Sequence, residues 1–226
     1  MTRDAVARTS SLSVDEDNDP MSTPEYRKAR MHLSRRDDVM KAIIKAYGPC
    51  TLEADEDHFG VLARAIIAQQ ISTKAAAAIS ERLRKTLGRR GLRPTALLDL
   101  SDDALRAAGL SANKQKSLRD LATKCHSKEV PLQKLASMND EDVIAALIPV
   151  RGIGRWTAEM FLMFSLGRLD VLPVGDYGLR AGVQRHYQLD DLATAAQLHE
   201  LGERWRPFRS IATWYVWRSL GPVPQS

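Results

Sequence analysis

The chain has 226 residues, 44% hydrophobic and 27% charged, enough for a sizeable buried core in one or two domains. No apolar run approaches the ~18 residues of a membrane span, and MTRDAVARTSSLSVDEDNDP lacks an apolar signal core, so no membrane association and a cytoplasmic location are expected. Two cysteines, Cys50 and Cys125, exclude a disulfide framework, a four-cysteine zinc site and a four-cysteine iron–sulfur cluster.

The formal charge of +5 is unevenly spread. Residues 1–25 hold two basic and six acidic side chains, which leaves 31 basic against 22 acidic in the rest. A basic body behind an acidic tail suits a polyanionic partner. Residues 1–24 are polar and aperiodic, and are expected to be a disordered acidic tail.

Helical patterns follow throughout. SRRDDVMKAIIKAYG reads as a helix capped by Ser34 and stopped at Gly48-Pro49. DHFGVLARAIIAQQI places Phe59, Leu62, Ala63, Ile66 and Ile67 on one face. STKAAAAISERLRKTLG starts at the cap Ser72 and ends at Gly88. Its basic continuation (Arg82, Arg84, Lys85, Arg89, Arg90, Arg93) reads as a solvated face. Shorter helices are predicted in SDDALRAAG, SANKQKSLRDLATKC and NDEDVIAALI. Four more lie in RWTAEMFLMFSLG, DYGLRAGVQRHY, LATAAQLHELGERW and RPFRSIATWYVWRSLG. No alternating strand pattern and no repeat stands out. The fold class is all-α.

The most informative stretch is IPVRGIGRWTAEM. Pro149 disfavours helix in the residue before it, and Gly152 and Gly154 permit positive φ and close approach of another backbone. Unpaired N–H groups at the start of the next helix then form a natural phosphate site. A plain turn between two helices is the bland alternative. The Pro, the GIG and the small-residue start at Thr157-Ala158 together resemble the helix-hairpin-helix motif of DNA-binding proteins. That likeness implies DNA-backbone contacts through Gly152, Ile153, Gly154, Arg155 and Thr157, and a monovalent cation shared by hairpin carbonyls near Val150 and Gly152. Asp176 follows in LPVGDYGLR. It reads as a helix N-cap, where the local field favours an anion. An anion beside a phosphate-holding hairpin is also what breaking an N-glycosidic bond requires, because the sugar gains positive charge as the base departs.

Hairpin plus LPVGD resembles the helix-hairpin-helix, Gly/Pro-Asp superfamily of DNA glycosylases, in its DNA-3-methyladenine glycosylase II (AlkA-like) branch. RAIIAQQIS, GIGRWTAEMFL and ERWRPFRSIATWYVWRSLG support that branch, from about residue 35 to the C-terminus. The resemblance implies two helical subdomains with the active-site cleft between them. One is formed by residues 25–56 and 168–226. The other is barrel-like, spans 57–167 and contains the hairpin motif at 148–166. It implies no cofactor, a monomer, and duplex DNA with a damaged base as partner.

The same resemblance implies Asp176 as the catalytic carboxylate and Trp156, Trp217 and Tyr177 as the base pocket. Core packing is the expectation for Trp205 and Trp214. An alkylated purine is cationic, so an indole face attracts it and the base leaves readily. Related glycosylase/lyases carry a lysine two residues past the second glycine; here that residue is Trp156, which implies hydrolysis alone. AQQIS matches the family's wedge loop, with Gln70 filling the gap left by the flipped base and Gln69 beside it. Both glutamines could instead simply end their helix. Lys114 is expected on a backbone phosphate, or simply in solvent. A DNA-binding module without activity and a glycosylase for oxidised or mismatched bases are the competing readings; Asp176 with Trp156 and Trp217 argues against both.

Overall fold

The computed structural model describes residues 23–221 and 223, so the expected disorder of residues 1–22 lies outside the described residues. Twelve α-helices and two short 3-10 turns, with no strand, make up the described residues. Helices α1 (Pro24–Arg36) and α2 (Asp38–Tyr47) pack together at the N-terminal end. Next come α3 (His58–Ala68), α4 (Thr73–Leu87), α5 (Pro94–Leu98), α6 (Asp102–Ala107) and α7 (Ala112–His126). The hairpin joins α8 (Asp140–Leu147) to α9 (Arg155–Phe164), and the chain closes with α10 (Tyr177–Tyr187), α11 (Ala195–Trp205) and α12 (Arg209–Leu220).

The N-terminal region departs from expectation. Thr23 and Pro24, placed in the tail by composition, start α1: Thr23 accepts the Tyr26 N–H at its hydroxyl, and proline occupies the first turn, where its missing N–H costs nothing. Ser34 lies inside α1 and caps nothing. The cap of α2 is Asp37, whose extended backbone (φ −151°) breaks one predicted helix into two. Helix α1 buries only Ala29 and Leu33, too few apolar residues for a visible period. The other polar caps fall where expected, with Ser72, Ser101, Ser111 and Asn139 each accepting a first-turn N–H. In the basic stretch, Arg84 pairs with Glu81, while Arg82 turns back onto the Ala108 carbonyl at 2.9 Å.

Two hydrophobic clusters divide the molecule. The first runs from Phe59 to Val171 and includes the inward face of α3 and the buried residues of α8 and α9. The second joins α1 and α2 to α10, α11 and α12, so both ends of the described chain share one core. Trp205 and Trp214 are buried in it. Phe164 packs against both clusters, and Trp217 of α12 reaches across to the first. Arg209 donates to both Asp170 carboxylate oxygens, and Ser210 Oγ donates to the Arg168 carbonyl, so the segment after α9 is pinned to α12.

Asp37 anchors the second cluster. It is 6% exposed and accepts from Val39 N, Met40 N, the Tyr187 hydroxyl (2.6 Å) and Trp205 Nε1 (3.1 Å). Burial first, and then this carboxylate, push the Tyr187 hydroxyl well above its ordinary range. Asp37→Ala strands two buried donors and uncaps α2, so it should cost about 3 kcal/mol or more in urea unfolding. A loss below about 1 kcal/mol would remove Asp37 from this anchoring role.

Candidate active site

Asp176 is the N-cap of α10 and is 8% exposed. Its Oδ1 accepts the Leu179 N–H at 2.6 Å and the Trp217 indole N–H at 2.7 Å; Oδ2 accepts the Trp156 indole N–H at 2.8 Å. One carboxylate therefore joins the first turn of α9, the first turn of α10 and the last turns of α12. Trp217 is half-buried and stacks on Phe164, with centroids 6.0 Å apart and planes 10° apart. Trp156 is 48% exposed. Tyr177, expected in the pocket, stands 73% exposed, because the first position of α10 directs it into solvent.

A cavity of about 160 Å³ lies between α3 and α9, lined among others by Ala65, Ala68, Met160, Phe161 and Phe164. Phe164 links it to Trp217. Neither Phe164 nor Met160 stood out in the sequence, where both read as ordinary core positions. Gly178 also went unnoticed. A Cβ there would lie 3.2 Å from Asp176 Oδ1 and 3.2 Å from Trp217 Cδ1, so the bare backbone is what lets the indole reach the carboxylate.

The hairpin follows the expected path with differences in detail. Gly152 takes φ +83°, and a Cβ would sit 3.0 Å from Ser117 Oγ. Gly154 does not take positive φ. It caps α9 in an extended conformation (φ −101°), with open space where a Cβ would stand. That openness leaves room for another backbone beside the first-turn N–H groups of α9, which no side chain caps. Ile153 turns into the core and donates its N–H to Val150 O. The Thr157 side chain is buried along the cavity, so only its N–H belongs to the helix end. Arg155 is committed to Glu141 and Glu159. Glu159 is itself buried, which raises its carboxyl above the usual range against the lowering by Arg155.

Two contacts hold the hairpin from outside. Asp120 accepts the Arg151 N–H at 2.7 Å, and the Gln69 amide donates to the Gly152 carbonyl at 2.7 Å. Neutral carbonyl oxygens suit a monovalent cation, and the Gly152 oxygen, which accepts the Gln69 amide, keeps a second lone pair for one. The Arg151 side chain is exposed at the turn and was not singled out from the sequence. Gln70 is exposed with φ +58° between α3 and α4, next to Ile71, an apolar side chain 37% exposed. Lys114 is half-buried and donates to Ile67 O at the end of α3; desolvation lowers its ammonium. It thus holds the base of the glutamine loop.

Residues 63–207 match the family model described as HhH-GPD superfamily base excision DNA repair protein. The chain belongs to that superfamily. Among HhH-GPD relatives, DNA-3-methyladenine glycosylase 1 of Schizosaccharomyces pombe is 35% identical over 198 residues, covering 85% of this chain and 86% of its own. The crystal structure of a DNA-3-methyladenine glycosidase from Bacillus halodurans superposes with a TM-score of 0.78 at 35% identity, covering 88% of this chain and 90% of the other. An S. pombe 3-methyladenine DNA glycosylase in complex with abasic DNA gives 0.74 at 34%, covering 85% and 96%. No helix among the described residues is long and apolar enough to cross a membrane.

This HhH-GPD site makes a spectroscopic prediction. Of the four indole N–H signals in a proton–nitrogen correlation spectrum, Asp176→Asn should move those of Trp156 and Trp217 and spare Trp205, which donates to Asp37. Gly178→Ala should move the Trp217 signal most. Unchanged Trp156 and Trp217 signals in Asp176→Asn would refute the shared carboxylate.

Proposed function

We propose that this protein is a monofunctional DNA glycosylase of base excision repair, working as a monomer in the cytoplasm or on the nucleoid. Its substrates are alkylated purines of the 3-methyladenine and 7-methylguanine type, flipped out of duplex DNA. The observation that carries this reading is Asp176, a buried carboxylate oriented by three N–H donors, two of them indoles. The related glycosylases support the substrate class.

The residues divide the work. First-turn N–H groups of α9, with Gly154 bare beside them, hold a phosphate of the damaged strand, and exposed Arg151 adds charge. Gln70, with Ile71 beside it, enters the space vacated by the base. The base moves against the indoles of Trp156 and Trp217, where a cationic ring gains cation–π attraction. As the C1′–N bond breaks, its electron pair leaves with the base, which departs neutral if it was cationic. Asp176 stabilises the positive charge left on the sugar. Water adds to C1′ and loses a proton, giving an abasic sugar and free base. No step needs a cofactor.

Asp176→Asn keeps a helix cap but removes the charge. Single-turnover excision of 7-methylguanine from a duplex should fall at least about a hundredfold, with duplex affinity nearly unchanged. Near-wild-type excision would end the catalytic assignment. The absence of an amine at position 156 gives a second outcome. Borohydride added during turnover should trap no protein–DNA adduct, and strand scission should need alkali or heat. A trapped species would show that a lysine, such as Lys74 on the first turn of α4, reaches the sugar.

A further inference from the structure

Gln69 and Gln70 are adjacent yet differ in what they touch. Gln69 is the C-cap of α3 (φ −55°, ψ 130°), and its side chain folds away from the glutamine loop. Its Nε2 donates to Gly152 O at 2.7 Å, across 83 positions of sequence. Its Oε1 lies 3.7 Å from where a Gly152 Cβ would stand, so the whole amide rests against the hairpin backbone. Gln70 turns through φ +58° into solvent.

Helix α7 holds both partners of this bond. Lys114 binds the Ile67 carbonyl two residues before Gln69, and Asp120 binds the Arg151 N–H one residue before Gly152. The Gln69 amide closes the circuit directly between the two loops. One amide N–H is held by the Gly152 carbonyl, which directs the side chain onto the hairpin backbone. A main-chain carbonyl held by a neutral donor is also insensitive to salt, unlike a surface ion pair.

We propose that Gln69 is a positioning residue that makes the phosphate-holding hairpin and the wedge loop move as one body. The grip on the strand then sets how far Gln70 penetrates the duplex. This rests on the glycosylase reading above. The chemistry demands a neutral donor of this length: glutamate would set an anion against a carbonyl oxygen, and methionine keeps the shape without the hydrogen bond.

The test uses the full chain with Gln69→Met and Gln69→Glu, each alone and combined with Gln70→Ala. Flipping is followed by stopped-flow fluorescence of 2-aminopurine beside a 7-methylguanine made non-hydrolysable by a 2′-fluoro sugar, and affinity for undamaged duplex by anisotropy. Gln69→Met should slow flipping about tenfold, lower thermal stability slightly and leave undamaged-duplex affinity unchanged. Gln69→Glu should slow it further. On the Gln70→Ala background, Gln69→Met should add little, because it acts through Gln70. Multiplicative losses, or a matching loss of affinity for undamaged duplex, would make Gln69 an independent DNA contact and overturn the proposal. A wild-type protein that flips no base would overturn the glycosylase reading and this proposal with it.

Discussion

The site depends on one carboxylate shared by three helices. Asp176 caps α10, and the same two oxygens take the indole N–H groups of α9 and α12. A buried carboxylate is costly unless its lone pairs are filled, and here the filling comes from two indole N–H groups and the Leu179 N–H. Fixing Asp176 therefore fixes Trp156 and Trp217. Carboxylate and aromatic surface are joined into one unit across the junction of the two cores.

That unit needs close approach, and close approach needs small residues in particular places. Gly178 clears the path for Trp217, and Gly182, one turn later, clears it for Val216: a Cβ there would lie 2.3 Å from Val216 Cγ1. Both keep α10 and α12 in near contact, consistent with the direct packing of these helices. The hairpin side is organised differently. It is held by hydrogen bonds from α3 and α7 to main-chain atoms, with Ile153 of the turn anchored in the core.

Much of this was legible locally. The polar caps, the apolar face of α3, the glycines around α9 and the aspartate before α10 are short-range patterns with direct physical causes. Asp176 with Trp156 and Trp217 could be named from sequence, through resemblance to a family. The missing parts are long-range or faint. Gln69 finds its partner 83 residues away, and no local pattern announces that. Gly178 looks like any helical glycine until α12 is in place. Helix α1 escaped because its buried side is so narrow, and Asp37 proved to be the corner of a core. Tyr177, the neighbour of Asp176 in sequence, stands mostly in solvent at the head of α10.

The pairing of Arg155 has a further consequence. Its guanidinium sits at the head of α9 but is already neutralised by Glu141 and Glu159. Phosphate there meets oriented amide dipoles more than a net cation. Such a contact displaces few condensed counterions, so it adds little to the slope of log affinity against log salt. On the function proposed above, the hairpin's hold on its strand then survives ionic strengths that strip away contacts made by lysine and arginine, and geometry seats the protein when long-range attraction has been screened out.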